Sequence, residues 1–212
     1  MMSNELLIMR KRIDLTASAV LYDRPFSPES FREDWEVLSG RWRQEGDALF
    51  GTNPDPKPGC IMLRRAFPGN VLVDFRAATV APSTHDIDVM WNASWDRRTD
   101  TRGSAYVAGI QGWWDGKVGI EKSPQYKQVA AAPCPWFKPG REYRIQAGAI
   151  DDHCFLFVDG QLRLEMLDPD PIDSAASAGV GFEAYQSMIR VSGLVVRRIA
   201  WTERKQEYAK EF

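Results

Sequence analysis

The chain has 212 residues and a formal net charge of −2, from 27 basic and 29 acidic side chains. That balance lacks the basic excess of a nucleic-acid surface, and no apolar run reaches the roughly 18 residues of a membrane span. The length suits one large β-sandwich that needs no disulfide or metal staple.

The three cysteines, Cys60, Cys134 and Cys154, are odd in number and match no zinc spacing. They read as reduced, buried thiols, which places the protein in the cytoplasm. The apolar run near the N-terminus is too short for a signal peptide, and its basic residues follow rather than precede it. A single domain over residues 1–212 is expected, with its core at about 18–200 and a charged tail at 202–212.

In chain order, residues 1–22 carry irregular apolar positions and read as an opening strand. Pro25 and Pro28 then break the chain, and Ser27 or Ser30 is placed to cap a short helical turn. Trp35–Leu38 and Arg41–Gln44 read as a strand pair around Ser39-Gly40. A turn at Glu45-Gly46-Asp47 follows. Pro54, Pro56 and Pro58 make a loop, because proline cannot donate to a sheet ladder. Cys60–Phe67 and Val71–Val80 are strands. Asp86 to Trp95 alternates with period two: Ile87, Val89, Trp91, Ala93 and Trp95 form one apolar set, while Asp86, Asp88, Met90, Asn92 and Ser94 form the other. Arg97–Gly103 is a charged loop. Ser104–Trp114 and Lys117–Lys122 form a hairpin on Asp115-Gly116, and a long loop runs from Ser123 to Gly140. Further strands lie at Glu142–Ile150, Cys154–Val158, Gln161–Leu167, Val180–Ser187 and Ile189–Ile199, with a second Asp-Gly turn at Asp159-Gly160. About a dozen short strands with no long helix imply an all-β, two-sheet antiparallel sandwich or a barrel.

Three segments together resemble a known family: Phe31-Arg32-Glu33-Asp34-Trp35 before a strand, the hairpin Cys154 to Gln161, and the closing Gly179-Val180-Gly181-Phe182-Glu183-Ala184. With Pro139-Gly140-Arg141-Glu142-Tyr143-Arg144 between them, their order resembles the concanavalin A-like lectin/glucanase superfamily. The likeness is nearest to bacterial laminarinase-like and 3-keto-disaccharide hydrolase proteins and covers roughly residues 18–200. It implies a jelly roll whose concave sheet carries a carbohydrate site. The laminarinase-type Glu-x-Asp-x-x-Glu pattern is departed from, since Trp91 stands where its last glutamate would fall.

Strand parity supplies the candidate site. Residues flanking a two-residue turn oppose each other, so Trp114 and Lys117 share a face, and counting by twos adds Tyr106, Ala108, Ile110 and Glu121. Asp86, Asp88 and Asn92 lie on the polar side of their strand, Glu183 and Tyr185 opposite Phe182, and Gln146 opposite Ile145. Aromatic rings for stacking and acids or amides for hydroxyls are what a sugar site needs. Asp88 and Glu183 are the candidate acid and base. Asp86, Asn92, Tyr106, Trp114, Lys117, Glu121, Gln146 and Tyr185 are candidate substrate contacts, with a solvent-facing strand surface as the plain alternative for each. No cofactor is expected. His85-Asp86-x-Asp88 has the residue types of a divalent-metal site, but it would need His85 in a loop. The expected partner is a carbohydrate, with no nucleic acid or membrane and a homo-oligomer left open. Acid/base hydrolysis or elimination on a small glycoside or oxidised sugar, and lectin-like binding without turnover, both stand.

Overall fold

The computed structural model describes residues 4–112 and 116–204. In chain order its strands begin with β1 (Glu5–Ile8), β2 (Lys11–Tyr22), β3 (Trp35–Val37), β4 (Arg41–Glu45), β5 (Ala48–Thr52) and β6 (Gly59–Leu63). Then come β7 (Val71–Thr79), β8 (Ile87–Ala93), β9 (Trp95–Asp96), β10 (Thr101–Arg102), β11 (Ala105–Ile110) and β12 (Lys117–Ser123). The last six are β13 (Lys127–Pro133), β14 (Tyr143–Ile150), β15 (His153–Val158), β16 (Gln161–Leu167), β17 (Gly179–Ala184) and β18 (Met188–Glu203). One short helix, α1 (Pro28–Asp34), starts at Ser27, whose hydroxyl accepts from the Ser30 N–H while the Ser30 hydroxyl accepts from the Ser27 N–H.

The strands assemble into two antiparallel sheets. The front sheet runs β13-β12-β11-β8-β17-β6-β3. The rear sheet runs β1-β2-β18-β7-β14-β15-β16, with β5 also on β18 and β4 on β5. Between them lies the main core, built from alternate residues: Val73, Phe75, Ile145 and Leu156 from the rear, Val89, Trp91, Ile120 and Phe182 from the front. Phe75 and Phe182 meet edge-on at 4.9 Å. Each such side chain contributes roughly 1.5–3 kcal/mol by leaving water. A second apolar layer covers the outer side of the rear sheet, where Leu6, Ile8 and Ile13 of the β1–β2 hairpin pack with Leu72, Phe155, Phe157 and Ile199. The outer side of the front sheet carries a smaller apolar patch, where Met62, Met90 and Val107 pack with Trp95 of the short β9–β10 ribbon, and beside it a group of polar side chains.

Two expectations about connectivity fail. Residues 35–38 and 41–44 do not pair with each other: β3 joins β6 in the front sheet, and β4 joins β5 in the rear sheet. The chain changes sheets at Gly40, whose φ of +73° and 2.8 Å approach of a hypothetical Cβ to Gly59 Cα admit no side chain. The segment 123–140 is not all loop either. It contains β13, an edge strand ending at Pro133, where a missing N–H is tolerated. The Asp159-Gly160 turn has positive φ at both residues, the primed geometry of a tight hairpin. Asp115 and the tail beyond residue 204 lie outside the described residues. No helix among the described residues is long and apolar enough to cross a membrane.

Candidate functional site

The outer face of the front sheet holds the candidate site. Strand register places Asp88 of β8 directly opposite Glu183 of β17, and Glu183 opposite Cys60 of β6. On the other flank Asp88 faces Gly109 of β11, which faces Gly119 of β12. Two acids therefore stand side by side, next to two positions with no side chain, and the surface is hollow there. The resulting cleft measures about 590 Å³ and is lined by Asp86, Asp88 and Glu183 at its floor, with His85, Tyr126, Tyr185 and the Pro56 and Pro58 loop around them. A second hollow of about 660 Å³ adjoins it, shares Pro56, Pro58 and Tyr126, and is lined further by Trp95, Asp100 and Arg102.

Asp86 precedes β8 and has a left-handed φ of 71°. This turn brings its carboxylate into the cleft, where Oδ2 accepts from the Tyr185 N–H at 2.5 Å and from the Ser187 hydroxyl at 3.4 Å. Arg102 descends from the small β9–β10 ribbon onto the same face. Its guanidinium pairs with both Glu121 and Glu183, and its Nε donates to the Ser123 hydroxyl at 2.9 Å. The Tyr126 ring covers it at 4.7 Å.

Four buried carboxyls thus gather near one arginine, which pairs with two of them. Burial, then the charges of Asp86 and Glu183, push the Asp88 carboxyl well above the usual carboxylate range. Burial pushes Asp86 up to about 7, against the pull of the Tyr185 N–H. Burial also raises Glu183, but there Arg102 opposes it. Asp88 has no such cation, and its Oδ1 has no hydrogen-bond partner although it is buried. Burial and like charge thus favour the protonated form of Asp88, while Arg102 pulls Glu183 toward its carboxylate. The Cys60 thiol, 3.6 Å from Glu183 Oε2, is held protonated by burial and then by the Glu183 charge.

No family model matches the chain, and no curated protein matches it by sequence. Solved structures do match it. A protein of unknown function with galectin-like fold from Bacillus subtilis superposes with a TM-score of 0.71 at 14% identity, over 86% of this chain and 97% of that one. The carbohydrate binding module CBM66 from Bacillus subtilis gives 0.64 at 12%, over 77% and 95%. The endo-beta-1,3-glucanase from Pyrococcus furiosus gives 0.61 at 11%, over 93% and 99%. The chain has the concanavalin A-like lectin/glucanase fold.

On this concanavalin A-like sandwich Asp86, Asp88, Glu183 and Tyr185 come together in one cleft. Glu121 lies on the same face, but it sits beneath Arg102. Lys117 shares that face by register, yet it is exposed at the start of β12 and does not line the cleft. Three further residues depart from expectation. Tyr106 points into the main core, stacks on Trp91 at 5.7 Å and donates from its hydroxyl to Asp168 at 2.6 Å. Strand β11 ends at Ile110 and Gln111 turns left-handed, so counting by twos back from the hairpin lands on the wrong face: Tyr106 is opposite Lys122, and Val107 is opposite Glu121. Asn92 also leaves the face. A register slip against β17 and a φ of 45° turn it toward a separate hollow with Asn70 and Asp152. Gln146 belongs to the rear sheet, where its amide donates to Asp74 at 3.0 Å. Trp114 lies outside the described residues.

Arg102 and Tyr126 were not foreseen. Both come from segments without periodicity, and a single arginine in a polar loop gives no signal of burial. His85 and Asp86 do both precede the strand and line the cleft. Among the described residues, however, no group of three or more His, Cys, Asp or Glu side chains is arranged to hold a metal ion.

Proposed function

We propose that the front-sheet cleft binds a carbohydrate and that Asp88 and Glu183 act on it as acid and base. The observation that carries this reading is their placement as direct cross-strand neighbours in different surroundings, Asp88 without a cation and Glu183 on Arg102. A proton-holding carboxyl beside a carboxylate is the pairing that acid/base work on a glycoside needs. Tyr126 and Tyr185 offer ring faces to sugar C–H patches. The fold's neighbours include a carbohydrate binding module and an endo-beta-1,3-glucanase, which supports a sugar ligand.

The chemistry we favour is hydrolysis or elimination on a small glycoside or a 3-keto-glycoside. In the elimination, Glu183 takes the proton next to the keto group and that electron pair forms the new C=C bond. The aglycone oxygen leaves from C1 with the proton of Asp88. Turnover of glycosides and 3-keto-glycosides by Asp88→Asn and Glu183→Gln tests the assignment. Loss of about 100-fold or more in each is expected for a general acid or base, and unchanged turnover in both sinks it.

A binding-only reading has its own support. Arg102 already occupies Glu183, so the acid pair can serve as a fixed hydrogen-bonding floor. It predicts saturable sugar binding by calorimetry and no product by mass spectrometry.

A further inference from the structure

The acid cluster holds more carboxyls than the one cation beside it answers. Arg102 is committed to Glu121 and Glu183. Asp86 has a backbone N–H, a hydroxyl and a side-chain hydrogen bond with Asp88, and Asp88 Oδ1 has no partner of its own although Asp88 is 1% exposed. Among the described residues lining the cleft there is no lysine and no arginine. A buried, unpartnered carboxyl oxygen aimed into an open cleft is costly unless a ligand satisfies it.

We propose that this cleft takes a cationic sugar, an amino sugar whose protonated amine binds between Asp86 and Asp88. The inference rests on the carbohydrate reading above and narrows its substrate class. An anionic sugar such as a uronic acid meets three carboxyls here and no lysine or arginine lining the cleft among the described residues, so it gains nothing from the floor that a cation would gain. A metal ion is the other cation to weigh, but it requires several ligands converging on one point, and the described residues form no such group. An ammonium needs only acceptors at about 2.7–2.9 Å, so adjacent carboxyls suffice. The Tyr126 and Tyr185 rings at the cleft wall suit the sugar ring that carries the amine.

The charges around the amine define a distinctive readout. Asp86 and Asp88 are faced by Glu183 and Glu121 from neighbouring strands, by Arg102 from the ribbon, by the neutral thiol of Cys60, and by His85 and Tyr126 from the rim. Burial favours their protonated forms, and a bound ammonium stabilises their ionised forms. Binding therefore releases protons. Titration calorimetry of the full chain at about pH 6.5, below the usual amine range of about 7.7–8.0, is run with glucosamine, glucose, N-acetylglucosamine and methylammonium chloride. Each is run in two buffers of different ionisation enthalpy. Glucosamine is expected to bind at least about tenfold tighter than the two neutral sugars, with a buffer-dependent enthalpy that reports proton release. Asp86→Asn, whose amide oxygen still accepts from Tyr185, is expected to shrink the preference. Equal affinity for glucosamine and glucose, or glucosamine binding without proton release, overturns the inference and leaves the carbohydrate reading in place. Methylammonium binding with proton release but no sugar binding supports the cation site and overturns the carbohydrate reading. No binding by any of the four overturns both.

Discussion

Replacing Arg102 by methionine isolates what the buried ion cluster contributes. Arg102 and Glu121 side chains are each 1% exposed and Glu183 is 4% exposed, so solvent does not screen their attraction. Removing one partner of a buried pair costs about 3–5 kcal/mol, because the remaining charge is left without compensation. For a protein of this size about 2–4 °C of Tm follows each kcal/mol, so Arg102→Met is expected to melt roughly 6–20 °C below the parent near pH 8. The sign of the pH dependence follows from the acids left behind. Without the guanidinium, the carboxyl of Glu183, which burial already raises against the pull of Arg102, rises further above its unfolded value. An acid raised by folding favours the native state below its unfolded pKa and loses that contribution as pH climbs through the folded one. The deficit is therefore smaller near pH 5 than near pH 8. Adding Glu121→Gln and Glu183→Gln to Arg102→Met removes the orphaned charges and is expected to recover most of the loss. Thermal unfolding followed by circular dichroism at both pH values measures all of this. A single variant within 2 °C of the parent at pH 8, or a deficit that does not change with pH, refutes the reasoning.

Two other perturbations test separate parts of the structure. Asp86 sits near 7 when folded against an ordinary value of 3.8, so its contribution to stability is complete below about 3.8 and is lost as pH rises through about 7. Asp86→Asn is expected to gain Tm relative to the parent between pH 5 and pH 8, and a flat difference across that range speaks against a buried titrating Asp86. Gly40→Ala places a side chain at φ +73° and 2.8 Å from Gly59 Cα. We expect at least about 1–2 kcal/mol of destabilisation from the left-handed backbone alone, visible as a lower urea midpoint. An unchanged midpoint would mean that the sheet crossover tolerates what the geometry forbids.

The sandwich was readable because most of its strands alternate or are bounded by turn residues. Asp159-Gly160 marked its hairpin correctly through the positive φ that both residues supply. Asp88 and Glu183 share a face as parity predicts because each lies on the regular stretch of its strand, clear of the slip between Asn92 and Gly179–Gly181. Parity failed where the backbone breaks step: at Gln111, which reversed Tyr106, and at the bulge beside Asn92. Gln146 was misplaced for another reason, since nothing along a strand says which sheet it joins. The rear strands are harder still. Phe155 and Phe157 face one apolar layer while Cys154 and Leu156 face the other, so β15 shows no polar side to count from. Arg102 illustrates the remaining gap, because its burial depends on two acids from strands distant in sequence.

The rear apolar layer also bears on how the molecule opens. The β1–β2 hairpin is held by Leu6, Ile8 and Ile13 on the outer layer and by a polar clasp in which the Met9 N–H donates to Glu165 and Glu165 meets His153 at 3.0 Å. Neither the clasp nor the outer layer touches the front sheet's cleft. Lifting the β1 end of the hairpin exposes the outer layer while leaving the packing of Val89, Trp91 and Phe182 against Phe75 in place. Amide hydrogens in β1 can then exchange through a local opening that costs less than global unfolding. The outer layer at the back and the core behind the cleft are separate apolar clusters, so an opening of one need not unpack the other.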